Sequence, residues 1–365
     1  MSQKDSDRAT KRVRTEIFRI HVLIGGESPS NRQVEPFMAA FDKHNFQKLK
    51  EEQGIDVKVD YKSALDIRDK TEWTSYTEII DWLLEGDAYF ILCHPHQGFL
   101  NWRIPIASLE AELQRCNEHG NGCPIGGQLD DAVFRQDKYD YLKIIPEHVN
   151  PTLRIDIKET YNAAEMKQID SFFTSLCLNG GCLKAPYTTG CDFVRFAKWL
   201  YRPDDYKGGD PLSLYSYLNS AFQRFDGIFD YVMLQPSIDT GMKREYKVVF
   251  IRGKASHICS YSKGLKHKKF ADEADVLKFA QEAFDDYRSR VGNEHSWLDQ
   301  NVRLDIMWND IEERMVVNEI ETIEADYKML QICYQHLNDE VLEFLTEYWY
   351  NKLDDCVVQK VATMY

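Results

Sequence analysis

NVRLDIMWNDIEERMVVNEIE, residues 301–321, is the stretch on which the reading of this chain turns. Runs 302–308 and 315–320 read as strands, and a polar turn, 309–314, joins them, so they are expected to form an antiparallel pair. Alternation puts Arg303 and Asp305 on one face of the first strand, and Glu319 and Glu321 on one face of the second. Leu304, Ile306, Val317 and Ile320 would hold the other face in a core. Paired as a hairpin, the strands gather three carboxylates and one guanidinium. Carboxylates that close repel one another unless a cation sits among them. Mg²⁺ takes hard oxygen ligands, usually a few carboxylates plus substrate phosphates. Asp305, Glu319 and Glu321 are therefore candidate metal ligands. The plain alternative is a solvated charged face, common in an acidic protein.

Upstream, strands and helices alternate. Residues 17–24, 57–61 and 89–93 read as strands, and 34–52, 77–84 and 106–116 as helices. This order predicts a small N-terminal parallel α/β domain over 15–125, after a polar leader at 1–14. A short helix at 137–145 leads into the extended Pro151-Thr152-Leu153, followed by a helix at 163–176 and a strand at 182–185. Residues 202–210 are a loop by composition, 215–225 a helix and 231–235 a strand. Arg252-Gly253-Lys254 is the turn of a hairpin between 246–251 and 256–261. An amphipathic helix spans 276–291, and a last helix spans 331–353.

Bulk properties narrow the function. The chain has 365 residues and ordinary globular composition, with 43% hydrophobic and 28% charged residues. A net charge of −14 argues against a general nucleic-acid binder, which needs a basic face. The longest apolar runs are far shorter than a membrane span. The nine cysteines form no Cys-x-x-Cys and read as reduced thiols, which implies a cytoplasmic protein. Lys11-Arg12-Val13-Arg14 could act as a nuclear signal, but reads more simply as a solvated leader.

Other segments carry chemistry only in combination. In Gly180 to Gly190 a lysine, Lys184, ends a short apolar strand and a small-residue turn with Thr188 and Thr189 follows. Backbone N–H groups there could wrap a phosphate beside the point charge of Lys184. The Gly-Lys-[Ser/Thr] order of a P-loop is absent, and taken alone the segment reads better as a plain turn. Asp137-Lys138 stands about thirteen residues before Pro151-Thr152. Met233-Leu234-Gln235 closes an apolar strand that could offer groups to an adenine edge. Cys93-His94-Pro95-His96 reads as a strand-end loop rather than a metal site, and the basic cluster 263–269 as a solvated loop or a clamp for an acidic ligand.

Taken in order, these pieces resemble the ATP-grasp superfamily, most of all the D-alanine–D-alanine ligase group. The opening strand with Gly25-Gly26, Asp137-Lys138, Pro151-Thr152, Lys184 to Gly190, Met233 to Ile238, Glu245 to Ile251, Arg303-Leu304-Asp305 and Glu319-Ile320-Glu321 carry the resemblance. It implies an α/β protein of α+β lobes: the N-terminal domain, a central lid over 126–240, a catalytic lobe with antiparallel strands over 241–330, and a helical extension over 331–365. It implies ATP and Mg²⁺ as cofactors. Lys138, Lys184, Thr188, Thr189 and Gly190 would hold the phosphates, with Met233, Leu234 and Gln235 at the adenine and Glu245 also in the nucleotide site. Asp305, Glu319 and Glu321 would bind one or two Mg²⁺. Arg303 and Lys184 would act in catalysis, Arg303 by stabilising charge on the transferred phosphoryl group.

The implied activity is ATP-dependent joining of a carboxylate to an amine through an acyl phosphate, on small molecules or on a protein tail. Two departures stand out. Glu321 stands where the family usually has Asn, and Thr322 to Asp326 replaces a Ser-Pro-Gly-like loop, which leaves the acceptor unassigned. A kinase on the same scaffold and a non-catalytic ATP-binding adaptor are the alternatives. The helix 341–353 has apolar residues for core packing or for a homodimer contact.

Overall fold

The computed structural model describes residues 16–24, 35–44, 46–63, 78, 81–92, 122–123, 137–186, 194–201, 212–225, 230–238, 245–260, 272–292, 301–309 and 311–321, with parts of a helix between 343 and 358. The Gly25-Gly26 turn, the helix expected at 106–116, Thr188, Thr189, Gly190, His94, His96, the basic cluster 263–269 and the segment 322–326 lie outside the described residues.

Three sheets organise the chain. The first is parallel, in the order β2 (Ile55–Ser63), β1 (Glu16–Ile24), β3 (Ala88–Leu92), β4 (Gly122–Cys123). Phe18, Ile20 and Val22 of β1 are buried. The single helix expected over 34–52 is instead two, α1 (Glu35–Lys43) and α2 (Phe46–Gln53). The His44 N–H closes α1 on the Ala40 carbonyl at 3.0 Å, and its ring stacks on Phe46 at 4.2 Å. That stacking rewards a corner over a continued helix, and α2 buries none of its residues.

The second sheet has the order β5 (Leu153–Asp156), β9 (Tyr231–Pro236), β6 (Gly181–Lys184), β7 (Arg195–Trp199), β8 (Leu212–Ser213). Helices α4 (Ala163–Leu176) and α5 (Leu214–Phe225) pack Ile169, Phe173, Leu218 and Ala221 against its Leu183, Val232 and Leu234. Asn162 and Glu165 form a capping box at the start of α4, an interaction worth about 1 kcal/mol. Gly180, at φ +98, turns the chain into β6; a Cβ there would stand 2.8 Å from the Ala197 carbonyl oxygen.

The third sheet is antiparallel, in the order β11 (Lys254–Ser260), β10 (Glu245–Ile251), β12 (Asn301–Asn309), β13 (Arg314–Glu321). Helix α6 (Glu273–Val291) lays Val276, Ala280, Ala283, Phe284 and Tyr287 on one face of it, at the helical spacing the sequence predicts. Helix α3 (Lys138–Leu142) joins the same core through Tyr141 and Leu142, as do Ile145 and Val149. An isolated parallel bridge, Val149 to Val317, and Arg314, which donates to the Glu147 and Val149 carbonyls at 2.8 and 2.9 Å, fix the segment before β5 onto β13. Leu353 in the last helix is fully buried. Among the described residues, no helix is long and apolar enough to cross a membrane.

Candidate active site

The register of the third sheet builds the site. Lys247, Asp305 and Glu319 stand opposite one another across β10, β12 and β13, and Arg303 stands opposite Glu321. Opposite residues of an antiparallel pair share a face. The other face presents Val248, Leu304 and Ile320 to the α6 core. Strand burial therefore aims a row of charges to one side while the apolar row anchors it.

The pairing slips between Asp305 and Ile306, whose partners are Glu319 and Val317, leaving Asn318 as an extra residue. Such a bulge re-aims side chains beside it. Val317 goes into the core, and Asn318 and Glu319 both meet lysines from other elements. Lys138 Nζ donates to Glu319 Oε1 at 2.6 Å, and Lys184 Nζ to Asn318 Oδ1 at 2.6 Å. Lys138 is the first residue of α3, whose cap, Asp137, accepts from the Asp140 N–H at 3.0 Å and from the Tyr231 hydroxyl. The Lys138 N–H in turn donates to the Pro186 carbonyl at 3.2 Å, which ties α3 to the chain just after Lys184.

The charges are nearly all paired. Arg303 grips Asp305 with Nε to Oδ1 at 2.8 Å and a second nitrogen to Oδ2 at 3.1 Å, and reaches Glu321 at 2.7 Å. Lys247 Nζ lies 2.5 Å from Asp305 Oδ2 and 3.9 Å from Glu245. The environment drives the carboxylates apart. Burial would raise Asp305, but Arg303 and Lys247 outweigh it and hold the acid down at about 2. Glu319 is also lowered, because Lys138 and Lys184 outweigh its burial. Burial, with repulsion from Asp305, pushes Glu245 up to about 7. Glu321 rises to about 7 as well, through burial and the nearby Asp305 and Glu319 despite Arg303. Oxygens of Asp305, Glu319 and Glu321 all lie within 4.8 Å of one another. This hard oxygen donor set suits Mg²⁺.

Of the residues singled out from sequence, Arg303, Asp305, Glu319, Glu321, Glu245, Lys138 and Lys184 meet in this one constellation. Met233 and Leu234 lie beside it but are fully buried in β9, which has strands on both sides. The Gln235 side chain turns away, donating to Thr152 Oγ1 at 2.9 Å. Two members were missed. Lys247 was legible, since it follows Glu245 at the two-residue spacing that places both on one strand face. Asn318 had no signal, because strict alternation sends it to the core and only the bulge reverses that.

No protein-family model and no curated protein matches the chain. Solved structures do. A D-cycloserine synthetase, DcsG, superposes with a TM-score of 0.54 at 15% identity, covering 91% of this chain and 99% of that one. D-Alanine–D-alanine ligase from Bacillus anthracis, complexed with ATP, gives 0.49 at 15% identity over 92% and 99% of the two chains. A RimK domain ATP-grasp protein from Sphaerobacter thermophilus gives 0.48 at 10% identity over 90% and 98%. The fold rests on the first of these: it is the ATP-grasp fold, with the parallel sheet, the mixed sheet and the antiparallel sheet as its parts.

Proposed function

We propose that this protein is an ATP-dependent carboxylate–amine ligase, with Mg-ATP held between the β6 side and the antiparallel sheet. The observation that carries the reading is the meeting of Asp305, Glu319 and Glu321 with Lys138 and Lys184, which arrive from separate elements. Acidic groups on a rigid sheet face can take a cation, and lysines facing them can take the phosphates that such a cation would neutralise.

Bound Mg-ATP would supply the phosphoryl group that turns a carboxylate into a good electrophile. The residues of the chain would do the positioning. Asp305, Glu319 and Glu321 would hold the cation. Lys138 and Lys184 would exchange Glu319 and Asn318 for phosphate oxygens. Arg303 is kept charged by Asp305 and Glu321 although burial opposes it, and would stabilise negative charge developing on the transferred group. Glu245 would lie at the edge of the nucleotide site. The backbone of Met233, Leu234 and Gln235, with Thr188, Thr189 and Gly190 after β6, would complete the pocket. The acceptor pair is a small carboxylate and an amine, the amine free or on a protein tail. A cytoplasmic location would supply the ATP.

The test is phosphate release with Mg-ATP and a matrix of carboxylates and amines. Free phosphate and ADP that require both partners would support ligation. Phosphate retained on a hydroxylated product, with no need for an amine, would replace the ligase reading with a kinase.

A further inference from the structure

Tyr231 opens β9, the strand between β5 and β6 in the second sheet. Val232 and Leu234 enter the core under α4 and α5. Alternation therefore sends Tyr231 to the opposite face, where Met233 stands across from Lys184. Tyr231 is 4% exposed. The Arg154 guanidinium lies over its ring, 3.9 Å from the centroid, and Tyr139 meets the ring edge-on at 6.0 Å. A buried tyrosine needs a partner for its hydroxyl. Tyr231 donates to Asp137 Oδ1, the same oxygen that takes the Asp140 N–H and so caps α3.

Helix α3 cannot orient itself. Its five residues are far fewer than the roughly 12–15 that a helix needs to persist alone in water. The third sheet holds its C-terminal end, through Tyr141 and Leu142 in the α6 core. The second sheet holds its N-terminal end twice, through the Tyr231 hydroxyl on Asp137 and through the Lys138 N–H, 3.2 Å from the Pro186 carbonyl oxygen. A hydroxyl donating to a carboxylate is a bond of the strong, charge-assisted kind. It turns Asp137 toward β9, while Lys138, next in the chain and buried, sends its ammonium to Glu319 on the third sheet.

We propose that Tyr231 is a positioning residue for Lys138: through Asp137, its hydroxyl fixes the first turn of α3 to the sheet that carries Lys184, so that both lysines face the nucleotide phosphates together. This inference rests on the Mg-ATP reading above and adds to it the residue that aims Lys138. Tyr231 touches no reacting atom and takes part in no covalent step. Loss of the hydroxyl keeps the ring in its packing and the fold intact, but releases the helix start, and Lys138 with it, from β9.

The test is a double-mutant cycle read as Mg-ATP affinity by isothermal titration on the full chain, with folding followed by circular dichroism. Lys138→Met and Tyr231→Phe are each expected to weaken binding, Tyr231→Phe by about tenfold, the scale of one hydrogen bond to a charged group. On the Lys138→Met background Tyr231→Phe should cost nothing further, whereas on the Lys184→Met background it should still cost about tenfold. A merely structural tyrosine would cost the same on both backgrounds. That result, or wild-type affinity in folded Tyr231→Phe, would overturn the inference and leave the nucleotide site standing. Wild-type affinity in Lys138→Met would remove the phosphate role of Lys138 and the inference with it, and folded wild type that binds no Mg-ATP would sink the nucleotide reading itself. If Tyr231→Phe does not fold, Asp137→Asn takes its place in the cycle, since asparagine caps a helix as well as aspartate does but holds the hydroxyl less strongly.

Discussion

Asp305, Glu319 and Glu321 on the antiparallel sheet, and Glu147, His148 and Asp286 at the joint before β5, each bring three cation-binding side chains within 4.8 Å. They differ in what holds them. At the joint, Arg290 on α6 answers the acids from the same scaffold: it pairs with Glu147, with Asp286 at 3.0 Å and with the Ile144 carbonyl at 2.8 Å. His148 adds a contact to Asp286 at 3.3 Å, and Glu147 lies 47% exposed. The group is a self-contained ion-pair knot that ties α6 to the chain. On the sheet, Asp305 is 1% exposed, and the lysines that meet Asn318 and Glu319 come from β6 and α3. A count of carboxylates does not separate the two groups. Burial on a rigid strand, and cations supplied from other elements, do.

Substitutions should divide the two groups in the same way. Asp305→Asn and Glu319→Gln are expected to cut phosphate release by about 10²–10³-fold with the fold intact by circular dichroism, the scale seen when one electrostatic group is lost. Near-normal turnover in either would dissolve the distinction. Arg303→Met leaves Asp305 buried beside Lys247 alone; denaturant unfolding should show a loss of about 3–5 kcal/mol, typical of a broken buried pair. Asn318→Ala removes a bond to a charged donor. That bond competes with phosphate for Lys184, so nucleotide should bind about tenfold more tightly by fluorescence titration, as such bonds are worth about 1.5 kcal/mol or more. Unchanged affinity would confine Asn318 to shaping the bulge.

The pH response sharpens the comparison further. Glu245 and Glu321 are raised from 4.5 to about 7, so between those values the folded protein holds more protons than the unfolded chain. Their contribution to stability therefore falls as pH rises through that window. Thermal unfolding in a chelator should show the decline, and Mg²⁺ should reduce it by favouring the ionised carboxylates. Glu147 has the opposite sign. Its pairing with Arg290 lowers it from 4.5 to about 2, so its contribution is present above 4.5 and lost as pH falls toward 2. Glu147→Gln should leave turnover and Mg²⁺ response unchanged, the smallest effect of the series; altered Mg²⁺ response would make the joint part of the site.

Much of this was legible in the chain. Alternation within 302–305 and within 319–321 placed Arg303, Asp305, Glu319 and Glu321 on one face, because the other side of each strand is buried against α6. The order of motifs indicated the ATP-grasp fold, which no single motif could. Three features escaped. The corner at His44 depends on a ring stacking that composition does not announce. The bulge at Asn318 costs one residue of register, and nothing in Val317-Asn318-Glu319 marks where it falls. The resemblance implies Gln235 at the adenine, and nothing in the sequence announces that its side chain donates to Thr152, a partner 83 residues away. In each case the deciding contact is tertiary, and a local pattern cannot carry it.

The most direct test of the central claim is isothermal titration of ATP into the wild-type protein and the Glu319→Gln variant, with and without Mg²⁺. Mg²⁺-dependent binding to the wild type, clearly weakened by the substitution, is the expected result. Folded wild-type protein that binds no nucleotide, or that binds it equally well without Mg²⁺ and no better than the variant does, would contradict the site.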